Sequence, residues 1–119
     1  MNSTELENVC DFRYLNEIMN GKKHLIKEIT NAFLKQLPEE LHCINDAITK
    51  TDYAIIKSFA HSMKSSVSIM GISILAPVLQ EMEELGTTAA DIEKIKELNQ
   101  TLNLICNKAI LEIEKHNYV

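Results

Sequence analysis

Apolar residues recur every three to four positions through most of this chain, the spacing that gathers them on one face of a helix. Five helical segments follow from that spacing. The first covers about residues 11–20, with Asp11 as its capping side chain, Phe12, Leu15, Ile18 and Met19 as a short apolar face, and Gly21 as its stop. The second begins near Lys22 and carries Leu25, Ile26, Ile29, Phe33, Leu34 and Leu37. Pro38 lacks an amide hydrogen and crowds the previous turn, so a helix resuming at Glu39 with Leu41, Ile44, Ala47 and Ile48 makes either one kinked rod or two stacked pieces. Thr49 to Asp52 reads as a turn. The third segment spans about 52–70 and ends at Gly71. The fourth runs from about Ser73 to Leu85, with Leu75, Val78, Leu79 and Met82 inward and Pro77 either in its first turn or at a kink. Gly86 to Ala90 reads as the loosest stretch. The fifth starts near Asp91 and shows Ile92, Ile95, Leu98, Leu102, Ile105, Ala109 and Ile113 in a nearly unbroken stripe. Such stripes must be buried against one another. The expected fold is all-α: an antiparallel four-helix bundle with a short additional N-terminal helix across one end.

Composition narrows this reading. A chain of 119 residues forms one domain, 1–119, with its core within about 9–116. With 3 glycines and 2 prolines there are too few turn residues for an all-β design. No apolar run approaches the roughly 20 residues of a membrane span, and Met1 to Glu5 is too polar for a secretory signal. Cys10, Cys43 and Cys106 are odd in number and widely spaced, which argues against a disulfide framework or zinc site and for a reducing cytoplasm. They read as small apolar residues, and Met63, Met70 and Met82 as core. A net charge of −5 with one arginine, Arg13, makes nucleic acid an unsuitable partner.

Candidate chemistry centres on His61. At about 100° per residue, Ile56, Phe59, Ala60, Met63, Val67 and Met70 form the buried stripe of its helix, and His61 points roughly 140° away from it. Lys64 and Ser65 follow at helical neighbour spacing, with Ser68 one turn further along. These residues leave open space and one cation around a neutral imidazole, which is nucleophilic near neutral pH. Taken alone, the same pattern also fits an ordinary surface histidine.

The run Ala60-His61-Ser62-Met63-Lys64, with Ser66, Met70 and Gly71, resembles the signature of histidine-containing phosphotransfer domains of bacterial phosphorelays. Asp11 to Leu15 is similar to the family's opening helix, Ala32-Phe33 to its second and Leu79 to Glu83 to its fourth, so the likeness covers about residues 9–115. The resemblance implies a carrier that takes a phosphoryl group on His61 from a receiver-domain aspartyl phosphate and passes it to another receiver. Lys64 would stabilise the charge. Ser65 stands where the family usually has glycine, and its hydroxyl could donate to a phosphoryl oxygen. Glu83 stands where many members have a glutamine that orients the imidazole.

The family's partners are response-regulator receivers, as donor and as acceptor, with a hybrid sensor histidine kinase as a further source. The chain is expected to be a monomer, and no intrinsic cofactor is expected. No nucleotide-binding glycine loop is present, so the chain reads as a phosphocarrier rather than an enzyme. Mg2+ would come from the receiver. Lys57 reads as a solvating side chain. For docking, Ile69 and Ile72 count to the water-facing side of the His61 helix, and Tyr14, Ile18 and Ser68 complete the expected surface.

Three other readings compete. A helical adaptor with an incidental His61 is the main alternative. His24/Glu28 and His42/Asp46 are metal-capable pairs by spacing, but bundle metal sites draw on Glu-x-x-His runs from two helices, which the chain does not supply. A histidine-kinase dimerisation domain would carry an acidic residue directly after its histidine, where Ser62 stands here.

Overall fold

The computed structural model describes residues 8–116, so the Met1 to Glu5 stretch lies outside the described residues. Helix α1 is Arg13–Ile18, α2 Lys23–Thr49, α3 Tyr53–Ile69, α4 Leu75–Thr88 and α5 Ile92–Lys115. The four long helices close a ring in which α2 and α4 each pack against both α3 and α5, and the α3–α4 seam is the most extensive. At about 1.5 Å per residue, α2 alone runs close to the 42 Å long axis of the molecule. Short connections join antiparallel neighbours, and the core they enclose includes Leu15, Leu37, Ile44, Ile56, Met63, Leu79, Met82, Ile95 and Leu102. The expected all-α bundle with its short first helix is the observed fold.

Pro38 does not divide α2, which stays one helix to Thr49. The proline is exposed, so the Leu34 carbonyl that it deprives of a donor lies on the water-facing flank. Pro77 is the third residue of α4, within the first turn, where amides lack intrahelical acceptors and a missing hydrogen costs little. The Gly86 to Ala90 stretch is a correction. Helix α4 continues through Thr88, with Thr87 Oγ1 donating to the Glu83 carbonyl at 2.9 Å. Gly86 is buried because α4 runs so close to α3 there. A Cβ on it would stand 3.0 Å from Lys57 Cβ and 3.1 Å from Lys57 Cα.

Helix ends are set by local chemistry. Asp52 caps α3, its Oδ1 accepting from Ile55 N at 3.2 Å, and Asp91 caps α5 through Lys94 N at 3.1 Å. Asp11 accepts from Arg13 N at 3.1 Å while Phe12 holds the capping position, so α1 is shorter than expected. The α3 terminus governs the site's far end. Gly71 adopts the left-handed conformation (φ +68), its amide donates to Ser68 O, and Ile72 N donates to Val67 O at 2.9 Å. This pattern reverses the chain and turns the residue after the glycine back onto the helix. Asp11 N donates to Gly71 O at 3.0 Å, fastening the segment before α1 to this turn. The other end of that segment is held by Glu112, whose carboxylate accepts from Val9 N and Cys10 N at 2.6 and 2.9 Å.

Candidate functional site

Because α3 and α4 pack so closely, side chains on their shared outer edge meet. His61, on the outward face of α3, keeps 69% of its side chain exposed. Its Nδ1 lies 2.9 Å from Glu83 Oε2 on α4. A carboxylate oxygen can only accept, so this contact assigns the ring proton to Nδ1 and leaves the Nε2 lone pair free. Lys64, one turn along from His61, folds into the seam and is 30% exposed. Its Nζ stands 2.6 Å from Glu83 Oε1 and donates to Gln80 Oε1 at 2.8 Å.

Glu83 therefore spends one oxygen on each basic group. Its side chain is 18% exposed, and the Lys64 ammonium first, then the His61 ring, hold its carboxyl below the usual range. It stays ionised under the imidazole and fixes both the tautomer and the ring's orientation. The result is an oriented nucleophilic nitrogen in solvent with a cation one turn away.

Ser65 and Ser68 are exposed on the same helix, and Lys57, a solvating residue by expectation, is exposed as well. Tyr14 and Ile18 on α1 are 50% and 40% exposed. Ile72 is a correction: expected on the water-facing side, it is fully buried, because the reversal at Gly71 ends the helical count on which that expectation rested. Ile69 is also less exposed than the angular count implied. Helix α2 flanks it, and it is half-buried on a shallow groove of about 190 Å³ lined by Ile29, Phe33, Gln36, Ser66 and Met70.

Gln80 escaped the sequence reading. The signal was its place three residues before Glu83, on the same face of α4, but only the rotation of α4 against α3 shows that this face meets Lys64. His24 and His42 are exposed, and His116 meets the Phe12 ring edge-on at 4.8 Å between centroids. Among the described residues no group of three or more His, Cys, Asp and Glu could hold a metal ion, and no helix is long and apolar enough to cross a membrane. Cys106 is buried and Cys10 half-buried. Burial first, then Glu112 for Cys10 and Glu40 for Cys106, pushes both thiols up to about 12.

The Hpt domain family model matches residues 28–108. No curated protein matches the chain. Among solved structures it is similar to histidine-containing phosphotransfer protein B (HptB) from Pseudomonas aeruginosa PAO1. The identity is 19%, the TM-score 0.83, and the match covers 92% of this chain and 95% of that one.

Proposed function

The chain belongs to the Hpt domain family, and from that premise we propose that His61 is its phosphoacceptor, with Lys64 and Glu83 as its electrostatic and orienting partners. Hpt domains are phosphocarriers rather than classical enzymes, and they work with the receiver domains of response regulators in phosphorelays. The carrying observation is the 2.9 Å contact between His61 Nδ1 and Glu83 Oε2, which turns an exposed histidine into one with a defined tautomer.

The chemistry follows from that tautomer. Nε2 attacks the phosphorus of an aspartyl phosphate on a receiver, forming the N–P bond as the P–O bond to the aspartate breaks. The bonding pair leaves with the aspartate as a carboxylate. The ring becomes cationic, keeps its Nδ1 proton, and faces the Glu83 carboxylate that offsets its charge. Lys64, which shares Glu83 with the ring, supplies a cation for the phosphoryl oxygens. Positioning and charge neutralisation dominate phosphoryl transfer, so two charged side chains and a fixed ring suffice on this side of the encounter. The divalent cation, Mg2+, belongs to the receiver's acidic pocket. Onward transfer runs the same steps in reverse with a second receiver.

The receiver must then cover the surface around His61. The segment leading into α1 is fastened at Gly71, just beyond the end of α3, which runs eight residues or about 12 Å on from His61. A standard interface of about 800 Å² per partner spans a disc about 30 Å across, and the proposed surface extends from His61 towards Tyr14 and Ile18. Ser65, Ser68 and Ile69 follow His61 along α3 towards the Gly71 turn.

Incubation with a magnesium-loaded, phosphorylated receiver tests the assignment. The wild type takes up acid-labile, base-stable label, and His61→Gln takes up none while still binding the receiver. Undiminished labelling of His61→Gln would remove His61 from the reaction. A wild type that binds receivers without accepting label would favour the adaptor.

A further inference from the structure

We propose that Gln80 is a positioning residue that holds the Lys64 ammonium beside the nucleophile until the phosphoryl group arrives and then releases it. The proposal rests on the reading of His61 as phosphoacceptor. Lysine carries a compact charge on a flexible four-carbon stem, so a single exposed lysine one turn from His61 would sample many positions. Here its Nζ is caught between two acceptors on α4, Gln80 Oε1 at 2.8 Å and Glu83 Oε1 at 2.6 Å. Two acceptors three residues apart on one helix fix the ammonium in the seam.

The two acceptors differ in chemistry and surroundings, and that difference assigns the release step. Glu83 is charged, largely buried and simultaneously bound to His61, so letting go of Lys64 would disturb the ring. Gln80 is neutral and exposed. A hydrogen bond from an ammonium to a neutral amide is weaker than one to an anion, and water can replace it at once. When a phosphoryl group reaches Nε2, the hydrogen bond that the Lys64 ammonium donates to Gln80 is exchanged for one to a phosphoryl oxygen, with no proton transferred. The ammonium keeps its contact with Glu83 and pivots about it. Gln80 touches neither His61 nor the transferred group, and acts only through Lys64.

The test is a double-mutant cycle read by single-turnover phosphorylation at increasing concentrations of a phosphorylated, magnesium-loaded receiver. Gln80→Met keeps the length of the side chain and removes the acceptor oxygen. It is expected to lower the maximal rate roughly threefold to tenfold, because the freed lysine must then be ordered at the moment of transfer, with the half-saturating receiver concentration and the thermal midpoint unchanged. In a Lys64→Ala background the same substitution is expected to change nothing. An equal loss in both backgrounds, or none in either, overturns the proposal. A rise in half-saturating concentration at an unchanged maximal rate overturns it too, since Gln80 would then be a docking contact. The His61→Gln control separates the two readings: label persisting there removes the phosphoacceptor and the proposal with it, whereas label lost there leaves the cycle to decide on Gln80 alone.

Discussion

One carboxylate, that of Glu83, ties the proposed phosphoacceptor to its cation, and its ionisation leaves a trace in stability. In the folded chain Lys64 and then His61 keep its pKa below the ordinary glutamate value. As pH falls, the unfolded chain takes up a proton here near about 4.3 while the folded chain resists until lower pH. The contribution is therefore complete above the ordinary value and is lost as pH falls through the folded one. Urea midpoints compared between about pH 5 and about pH 3 should fall more steeply for the wild type than for Glu83→Gln. Comparing the two cancels other carboxylates, such as Asp11, which Arg13 holds at about 2. Parallel curves would mean that the carboxylate adds nothing to folding. At this scale the sequence was informative about type and spacing along one helix: His61, Lys64 and Ser65 are readable because helical phase within α3 is fixed. Glu83 needed the family resemblance, and Gln80 stayed hidden, since no local pattern states how two helices are rotated against each other.

Between elements, the decisive distance is the approach of α3 to α4. Gly86 lies three residues beyond Glu83 and contacts the backbone of Lys57, itself one turn before His61. A side chain there would wedge the seam open beside the site. Gly86→Val gains part of about 1 kcal/mol in helix propensity but meets an overpacking cost of about 1–3 kcal/mol. We expect a net loss of stability small enough to leave the bundle folded, and a drop in phosphorylation rate larger than that of an equally destabilising substitution remote from the seam. Circular-dichroism melts and transfer rates measured together decide it, and a rate that tracks stability alone would count against the wedge. Element boundaries were readable where a cap or stop residue acts locally, as at Asp52, Gly71 and Asp91. They misled where packing overrides propensity. Gly86 looked like a breaker and is a contact, and Ile72 looked exposed because periodicity cannot be carried past a chain reversal.

Across the whole molecule, the proposed docking surface reaches beyond the part of the chain that carries the proposed chemistry. The matched family region, 28–108, contains His61, Lys64, Gln80 and Glu83, whereas α1 with Tyr14 and Ile18 precedes it. Ile18→Glu is expected to weaken receiver binding several-fold, with an unchanged melt and near-normal transfer once the receiver is saturating. An unchanged affinity in the folded variant would place the interface elsewhere. The all-α architecture was plain from the apolar stripes, but the pairing order of the helices and the place of α1 needed three dimensions. The way α1 is held has a consequence for how such carriers diversify. Its anchor to the α3–α4 turn is a main-chain hydrogen bond between Asp11 and Gly71, in contact so close that a Cβ at Gly71 would collide with the Asp11 carbonyl. An anchor made of backbone is indifferent to most side chains around it. On the proposed docking surface, the outer face of α1 can then vary from one receiver to another while its seat stays fixed. One glycine would let partner choice evolve independently of the reaction it serves.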